Sequence, residues 1–389
     1  LCLPQLTREQ GTSGNYGLMD QFKALDWVSE NISAFGGDPD NITAGGQSGG
    51  ALKCCVMAAS PASRGRIKRV INQSGNKWMI PFKSLKSQEE LGKRYLRYAG
   101  IDPDISVEEL RNMDTHTLYK DAPRVLLPGD MVYDSDLIPY RSVRELFEHV
   151  LENVDFINGA DDGEAEVFAE SVSGLNEVPV RKFINGIRSS MDFYAHFRNL
   201  LGTLYDKYDF GNLVKVTDEN AWDMARFLAN RGLCGSEGMN VSRNLMLNRY
   251  FGMYMRERHP GNHCYSYLWT HQLPSPQEDK GTPLDPANTL AWHSTELWFT
   301  FASLREGIPP HRPWREIDYR LADIISTYWA NFIKTGNPNE EGLPWWPESG
   351  ADYGYMELGD TCSGHQGIDG ELEQLILEFV RAEYKLEER

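Results

Sequence analysis
Apolar residues recur at helical spacing through much of this chain, with short apolar runs between the helices. Phe22, Leu25, Val28 and Ile32 share one face and predict a helix over Asp20–Phe35, with Asp20 as its cap. Ala51–Ala59, Glu89–Tyr98, Val107–Met113 and Ser142–Asn153 read as further helices, the last with Val143, Leu146, Phe147, Val150 and Leu151 on one side. Ile317–Ile333 is strongly amphipathic, and Leu372–Tyr384 is the last helix. Asn41–Gly45, the Val70-Ile71 pair within Arg66–Gln73, Val154–Gly159 and Cys264–Thr270 read as strands. Strands alternating with helices imply an α/β protein with a parallel sheet. From about 167 to 258, helical stretches rich in Phe, Leu, Tyr and Arg follow one another without a clear strand, so a mostly helical insertion over 167–258 is expected to cover the site. Neither repeats nor a low-complexity linker interrupt the pattern, and a single domain over 1–389 is expected.

Charge and composition narrow the function. The net charge of −17 excludes a nucleic-acid partner, which needs clustered Lys and Arg. No run of 18 apolar residues exists, so no membrane span is expected. Among the six cysteines no C-x-x-C pair occurs, which argues against a zinc or redox motif, and Cys54 and Cys55 read as buried free thiols. Asn31, Asn41, Asn72 and Asn240 begin N-x-S/T triplets, which carry meaning only in a secreted chain. Localisation is left open.

The chemistry concentrates at Gly46-Gln47-Ser48-Gly49-Gly50, a G-x-S-x-G pattern between a strand and a helix. That context predicts a sharp turn with Ser48 exposed at the C-terminal edge of the sheet, where a side chain at either flanking glycine would clash. The helix start would bring backbone N–H groups beside the serine. The bare pentapeptide also fits an ordinary turn. A serine hydroxyl needs a base, and the base needs an acid to fix its tautomer. The chain order Ser, acid, His selects histidines well downstream. Of nine, His149 reads as structural on its helix, while His259, His263, His271 and His311 sit in polar or proline-rich loops and read as surface residues.

The flanks of the pentapeptide carry a resemblance. Asn15-Tyr16-Gly17-Leu18-Met19-Asp20-Gln21-Phe22-Lys23-Ala24-Leu25-Asp26-Trp27-Val28, then Asn31-Ile32-Ser33-Ala34-Phe35-Gly36-Gly37-Asp38-Pro39, then the serine motif, resemble the type-B carboxylesterase/cholinesterase family over about forty residues. Gln47 stands where the family has Glu. Ala291-Trp292-His293-Ser294-Thr295-Glu296-Leu297 resembles the family's G-x-x-H-x-x-E-L signature, with Leu290 in place of the leading Gly. Tyr328–Pro338 and Leu343–Pro347 resemble a late family signature.

The resemblance implies an α/β-hydrolase fold, a mostly parallel central sheet flanked by helices. It implies a serine carboxylic-ester hydrolase acting on a small-molecule ester through an acyl-enzyme, with no metal or organic cofactor. Ser48 is then the nucleophile and His293 the general base. The family's acid segment, G-x-x-x-D-E-G followed by Phe, places the acid on Glu164 when aligned from Gly159 to Phe168, and on Asp162 when aligned on Asp161-Asp162-Gly163; Glu164 is preferred and Asp162 stays the alternative. Ser74 resembles a family serine that supports the acid, or else ends a strand as an ordinary turn. Gly49 N–H supplies one oxyanion donor. The family's other donors come from an N-terminal glycine loop with no counterpart here. The chain is therefore expected to be a piece lacking its first strands, nearly inactive unless joined by that segment as a partner. The alternatives are a non-catalytic adhesion or scaffold member of the fold, and a thioesterase or peptidase using the same triad.

Overall fold
Cys264–Trp269 is buried at every position, as a parallel strand covered on both faces must be. It is β4 of a six-stranded sheet: β1 (Ile42–Gln47), β2 (Ile67–Gln73), β3 (Asp155–Asp161), β4, β5 (Tyr355–Leu358) and β6 (Cys362–His365). Spatial order follows chain order. The β2–β3, β3–β4 and β4–β5 pairs are parallel and β5–β6 is antiparallel. The structure, a computed structural model, describes residues 1–75, 82–119, 126, 131–133, 136–149, 151–164, 186–234, 244–282, 285–307 and 311–384. The residues of the expected insertion at 167–185 and 235–243, and with them Phe168 and Asn240, lie outside the described residues, as does Val150.

The longer helices are α1 (Pro4–Gln10), α2 (Tyr16–Asn31), α3 (Gly49–Ala59), α4 (Leu85–Tyr98), α5 (Val107–Asn112), α6 (Val143–His149), α7 (Ser190–Leu201), α8 (Ala221–Arg231), α9 (Leu245–Arg258), α10 (Glu316–Thr335) and α11 (Gly370–Glu383). Several differ from the periodicity. Helix α2 starts at Tyr16, so Asp20 lies inside it and does not cap it. Its entry is fixed instead by Asn15, whose side chain donates to Val132 O at 2.8 Å and accepts from Val132 N–H at 2.9 Å. Helix α6 stops at His149, and Asn153 adopts a left-handed φ of 62°. Strands β5 and β6, four residues each, are too short to announce themselves by alternation. Helix α9 is buried at every position from Leu245 to Met255 and packs on β3 and β4, as a helix hydrophobic all round does. Its Arg249 is satisfied there by Tyr353 O, Gly367 O and Glu373.

The described residues cluster into two compact units. One comprises Leu1–Ile42, Cys55–Ile67 and the described part of Trp78–Leu151, with Leu3, Tyr95, Leu96 and Ile101 at its centre. The other comprises Thr43–Cys54, the described part of Lys68–Lys77 and that of Glu152–Arg389. Its core joins β3–β5 to α10 through Tyr267, Trp269, Phe299, Leu321, Ile325, Tyr328, Phe332 and Trp346. No described helix is long and apolar enough to cross a membrane.

Trp346 is fully buried in that core and donates its indole N–H to Ser266 O of β4 at 2.9 Å. Trp346→Ala is expected to lower stability by about 3–5 kcal/mol through the cavity left behind. Guanidinium denaturation followed by far-UV circular dichroism checks this, and a shift below about 1 kcal/mol would contradict the packing assigned to Trp346.

Candidate active site
The turn after β1 has the backbone its sequence predicts. Ser48 adopts φ 58°, the left-handed conformation that L-residues rarely hold, and α3 begins at the next residue. Its N–H is held by Gln73 O at 2.8 Å. A Cβ on Gly46 would sit 2.5 Å from the Gly50 carbonyl carbon, so position 46 must be glycine. At Gly50 a Cβ would meet nothing within 4 Å, which corrects the expectation that both flanking glycines are sterically required. The second close approach belongs to Gly75, where a Cβ would lie 2.5 Å from Ser48 O. Ser48 is half-buried and Gly49 exposed. Gly49 N–H opens α3, where first-turn donors lack intrahelical acceptors.

Past the end of β3, the chain meets the loop that carries His293. Gly163 N–H donates to Ala291 O at 2.8 Å, and Gly163 pairs with Trp292 as a parallel bridge. A Cβ on Gly163 would come within 2.5 Å of Thr289 O and 2.9 Å of Ala291 O. This contact gives the order Asp-Asp-Gly-Glu a physical reason: the glycine lets two backbones touch, and Glu164 follows immediately. Glu164 Oε2 lies 2.8 Å from His293 Nδ1, with both side chains buried. That contact makes Nδ1 the donor and leaves Nε2 to accept. Gln47 Nε2 lies against the same ring, 3.0 Å from Nε2 and 3.3 Å from Nδ1. The histidine loop is tense at both sides of this contact. Leu290 holds φ 51° and ψ −153°, a glycine-type conformation, and Ser294 holds φ 80°. Position 290, where the resembling signature has Gly, thus holds a glycine-type backbone although the residue is Leu.

The site is richer in acids than the motifs alone indicate. Asp161, Glu164 and Glu296 are all at least 98 % buried. Asp161 Oδ2 accepts the Ser294 N–H at 2.9 Å, and its own N–H points to Glu164 Oε1 at 3.4 Å. Glu296 Oε1 accepts from Gln73 Nε2 at 3.1 Å and Tyr267 O–H at 3.4 Å. Tyr267 stands opposite Gly159 in the β3–β4 register, and a Cβ on Gly159 would be 2.1 Å from its ring. Burial, reinforced by the neighbouring charges of Glu296 and Glu164, pushes the Asp161 carboxyl well above the usual range. Burial likewise raises Glu296 and the Tyr267 phenol. Asp161 and Glu296 were not singled out from the sequence. Glu296 lay in plain view as the E of H-x-x-E-L, and Asp161 follows Gly159 on the same face of β3 by the two-residue period. Ligand-type atoms of Asp161, Glu164 and His293 all lie within 4.8 Å of one another, close enough for a metal ion. The donor chemistry points elsewhere, because Nδ1 and Oδ2 are engaged with Glu164 and Ser294 N–H.

The remaining candidates sit apart from the imidazole. Asp162 forms an ion pair with Arg231 at 3.1 Å, while its carbonyl accepts from Asn230. Burial raises its carboxyl and Arg231 opposes the rise. Ser74 N–H donates to Gly159 O at 2.9 Å, but its hydroxyl is fully buried without a hydrogen-bond partner among the described residues, so the structure does not show it donating to Glu164. His271, read from its loop as a surface residue, is completely buried between Asp318 and Asp360, each at 2.6 Å; His259 is buried too. Paired carboxylates allow a polar ring inside where loop composition alone suggests the surface.

A mostly parallel sheet with a left-handed serine at the end of a strand and a histidine–carboxylate pair on the following loops defines an α/β-hydrolase. The solved structure titled "thermophylic PNB esterase" shares this fold with a TM-score of 0.62 at 22 % identity, over 94 % of this chain and 68 % of that one. The profile of the Carboxylesterase family matches residues 6–374, and the chain belongs to that family. It is 24 % identical to carboxylesterase 1F of Mus musculus over 94 % of this chain, and 26 % identical to the medium-chain fatty acyl-CoA hydrolase precursor of Anas platyrhynchos over 90 %. It spans 64 % and 60 % of the length of those two relatives.

Two substitutions test the loop junction. Gly163→Ala is expected to cost about 1–3 kcal/mol by forcing the two loops apart. Leu290→Gly is expected to gain about 1 kcal/mol by relieving the strained φ. Urea titration of both variants checks the signs, and a destabilised Leu290→Gly would contradict the strain.

Proposed function
We propose that this protein hydrolyses carboxylic esters of small molecules through Ser48, His293 and Glu164. The observation that carries the reading is the buried Glu164–His293 contact at 2.8 Å, which sets the tautomer a general base requires. In this reading Ser48 Oγ attacks the ester carbonyl while His293 Nε2 takes its proton. Gly49 N–H stabilises the tetrahedral oxyanion. The imidazolium, held by Glu164, returns the proton to the leaving alcohol. Water then attacks the acyl-enzyme with His293 again as base. No step in this sequence requires a metal or organic cofactor. Family membership supports ester chemistry, and the single α/β-hydrolase domain with a helical insertion at 167–258 remains part of the proposal. The name of the Anas platyrhynchos relative refers to an acyl-CoA, a thioester, so thioesters belong in the substrate panel.

The test is mass spectrometry of the protein after fluorophosphonate treatment, together with hydrolysis of a short-chain nitrophenyl ester. A single adduct on Ser48, abolished by Ser48→Ala and by His293→Ala, is expected. Glu164→Gln is expected to slow turnover by about 10⁴-fold, the loss seen when the orienting acid of such a triad becomes an amide. Asp162→Asn is expected to stay near the parent rate. The opposite ranking would move the acid to Asp162, and no adduct on Ser48 in the full-length protein either would favour a non-catalytic member of the fold.

A further inference from the structure
The carboxyl groups of Asp161 and Glu296 have a hydrogen-bond count that two carboxylates cannot satisfy. On Asp161, Oδ2 takes the Ser294 N–H and Oδ1 has no donor among the described residues. On Glu296, Oε1 takes Gln73 Nε2–H and Tyr267 O–H, and Oε2 has no donor among the described residues. Both side chains are 1 % exposed, and the two carboxyls lie within hydrogen-bonding reach of each other. Ionised carboxylates only accept, so two of them in contact repel and leave both oxygens unsatisfied. One proton between them removes both costs: the acid donates to the carboxylate in a short, charge-assisted bond.

We propose that Asp161 is a positioning residue of the site, holding a proton shared with Glu296 while its other oxygen and its backbone N–H fix Ser294 and Glu164. Through Ser294 it anchors the residue after His293; through its N–H it touches the carboxylate that orients His293. The proton belongs to the pair, and the pair carries one negative charge rather than two. The titratable groups facing the pair are Glu164 from the same loop, His293 from the histidine loop and Tyr267 from β4, with Asp162 turned away onto Arg231. A third ionised carboxylate among them would pull the anchor from Ser294 by repulsion.

The inference rests on the esterase reading for its kinetic consequence, and for the proton on the buried oxygens without a donor and the hydrogen-bond contact between the two carboxyls. The native pair binds a proton that the unfolded chain releases above the ordinary aspartate range. The stability it confers therefore falls as pH rises from that range toward the raised native value. Asp161→Asn supplies the same bonds without titrating: its carbonyl accepts from Ser294 N–H and its amide donates to Glu296. Infrared spectra at neutral pH are expected to show a protonated-carboxyl carbonyl band in the parent and none in Asp161→Asn. The fall in melting temperature with rising pH is expected to flatten in Asp161→Asn. Asp161→Asn is expected to label Ser48 at neutral pH, and to do so without the parent's decline at alkaline pH. Asp161→Ala is expected to label about 10²-fold more slowly, the scale of a ~1 Å misplacement. A parent spectrum without the band overturns the shared proton. Equal labelling by Asp161→Ala and the parent overturns the positioning role. If the full-length parent itself never labels, the esterase reading fails, and the infrared band alone then decides for or against the shared proton.

Discussion

A carboxylate taken out of water must find partners or lose its charge, and this constraint organises the second unit of the protein. Glu164 is 2 % exposed, and its contact with His293 Nδ1 at 2.8 Å gives it one partner in the interior. That contact requires two loops far apart in the chain to lie backbone to backbone, which they do at Gly163 and Ala291. A side chain at 163 would occupy the space of the Thr289 carbonyl. The sheet beneath fixes both loops: β3 delivers Gly163 two residues past its end, and the parallel β3–β4 register sets Gly159 under the Tyr267 ring.

The price of such a site is local strain and concentrated acidity. Ser48, Leu290 and Ser294 all hold positive φ, and each such residue costs on the order of 1–3 kcal/mol. A core that spans β3, β4, β5 and α10, with Trp269 and Trp346 fully buried, over-determines these backbones. Three buried acids share the neighbourhood; Ser294 N–H, Gln73, Tyr267 and His293 satisfy them in part, and one oxygen each of Asp161 and Glu296 has no donor among the described residues. Gln47, where the resembling family carries Glu, places a neutral amide against the imidazole. The acid charge thus sits on the Nδ1 side of the ring, and an amide faces Nε2.

Much of the architecture was legible in the chain. The periodicity of α10, the apolar run of β4 and the strand–turn–helix reading around Ser48 depend on neighbours within a few residues, so local sequence carries them. The last two strands, β5 and β6, were illegible because four residues give too little alternation. The start of α2 was misplaced because Asn15 is fixed by Val132, a partner more than a hundred residues away. His271 looked like a surface residue because its aspartates lie 47 and 89 positions downstream.

By itself the sequence determined the type of chemistry on offer: a serine in a glycine-pinched turn, a histidine followed three residues later by a glutamate, and a run of acids after a strand. Local spacing suffices for those, since each is written within a dozen residues. Which acid meets the histidine was decided only by tertiary structure. Asp162 and Glu164 are two residues apart, yet one turns to Arg231 and the other to His293. The difference arises where the chain leaves β3 and Gly163 meets the histidine loop, a contact between segments some 130 residues apart that no local pattern encodes.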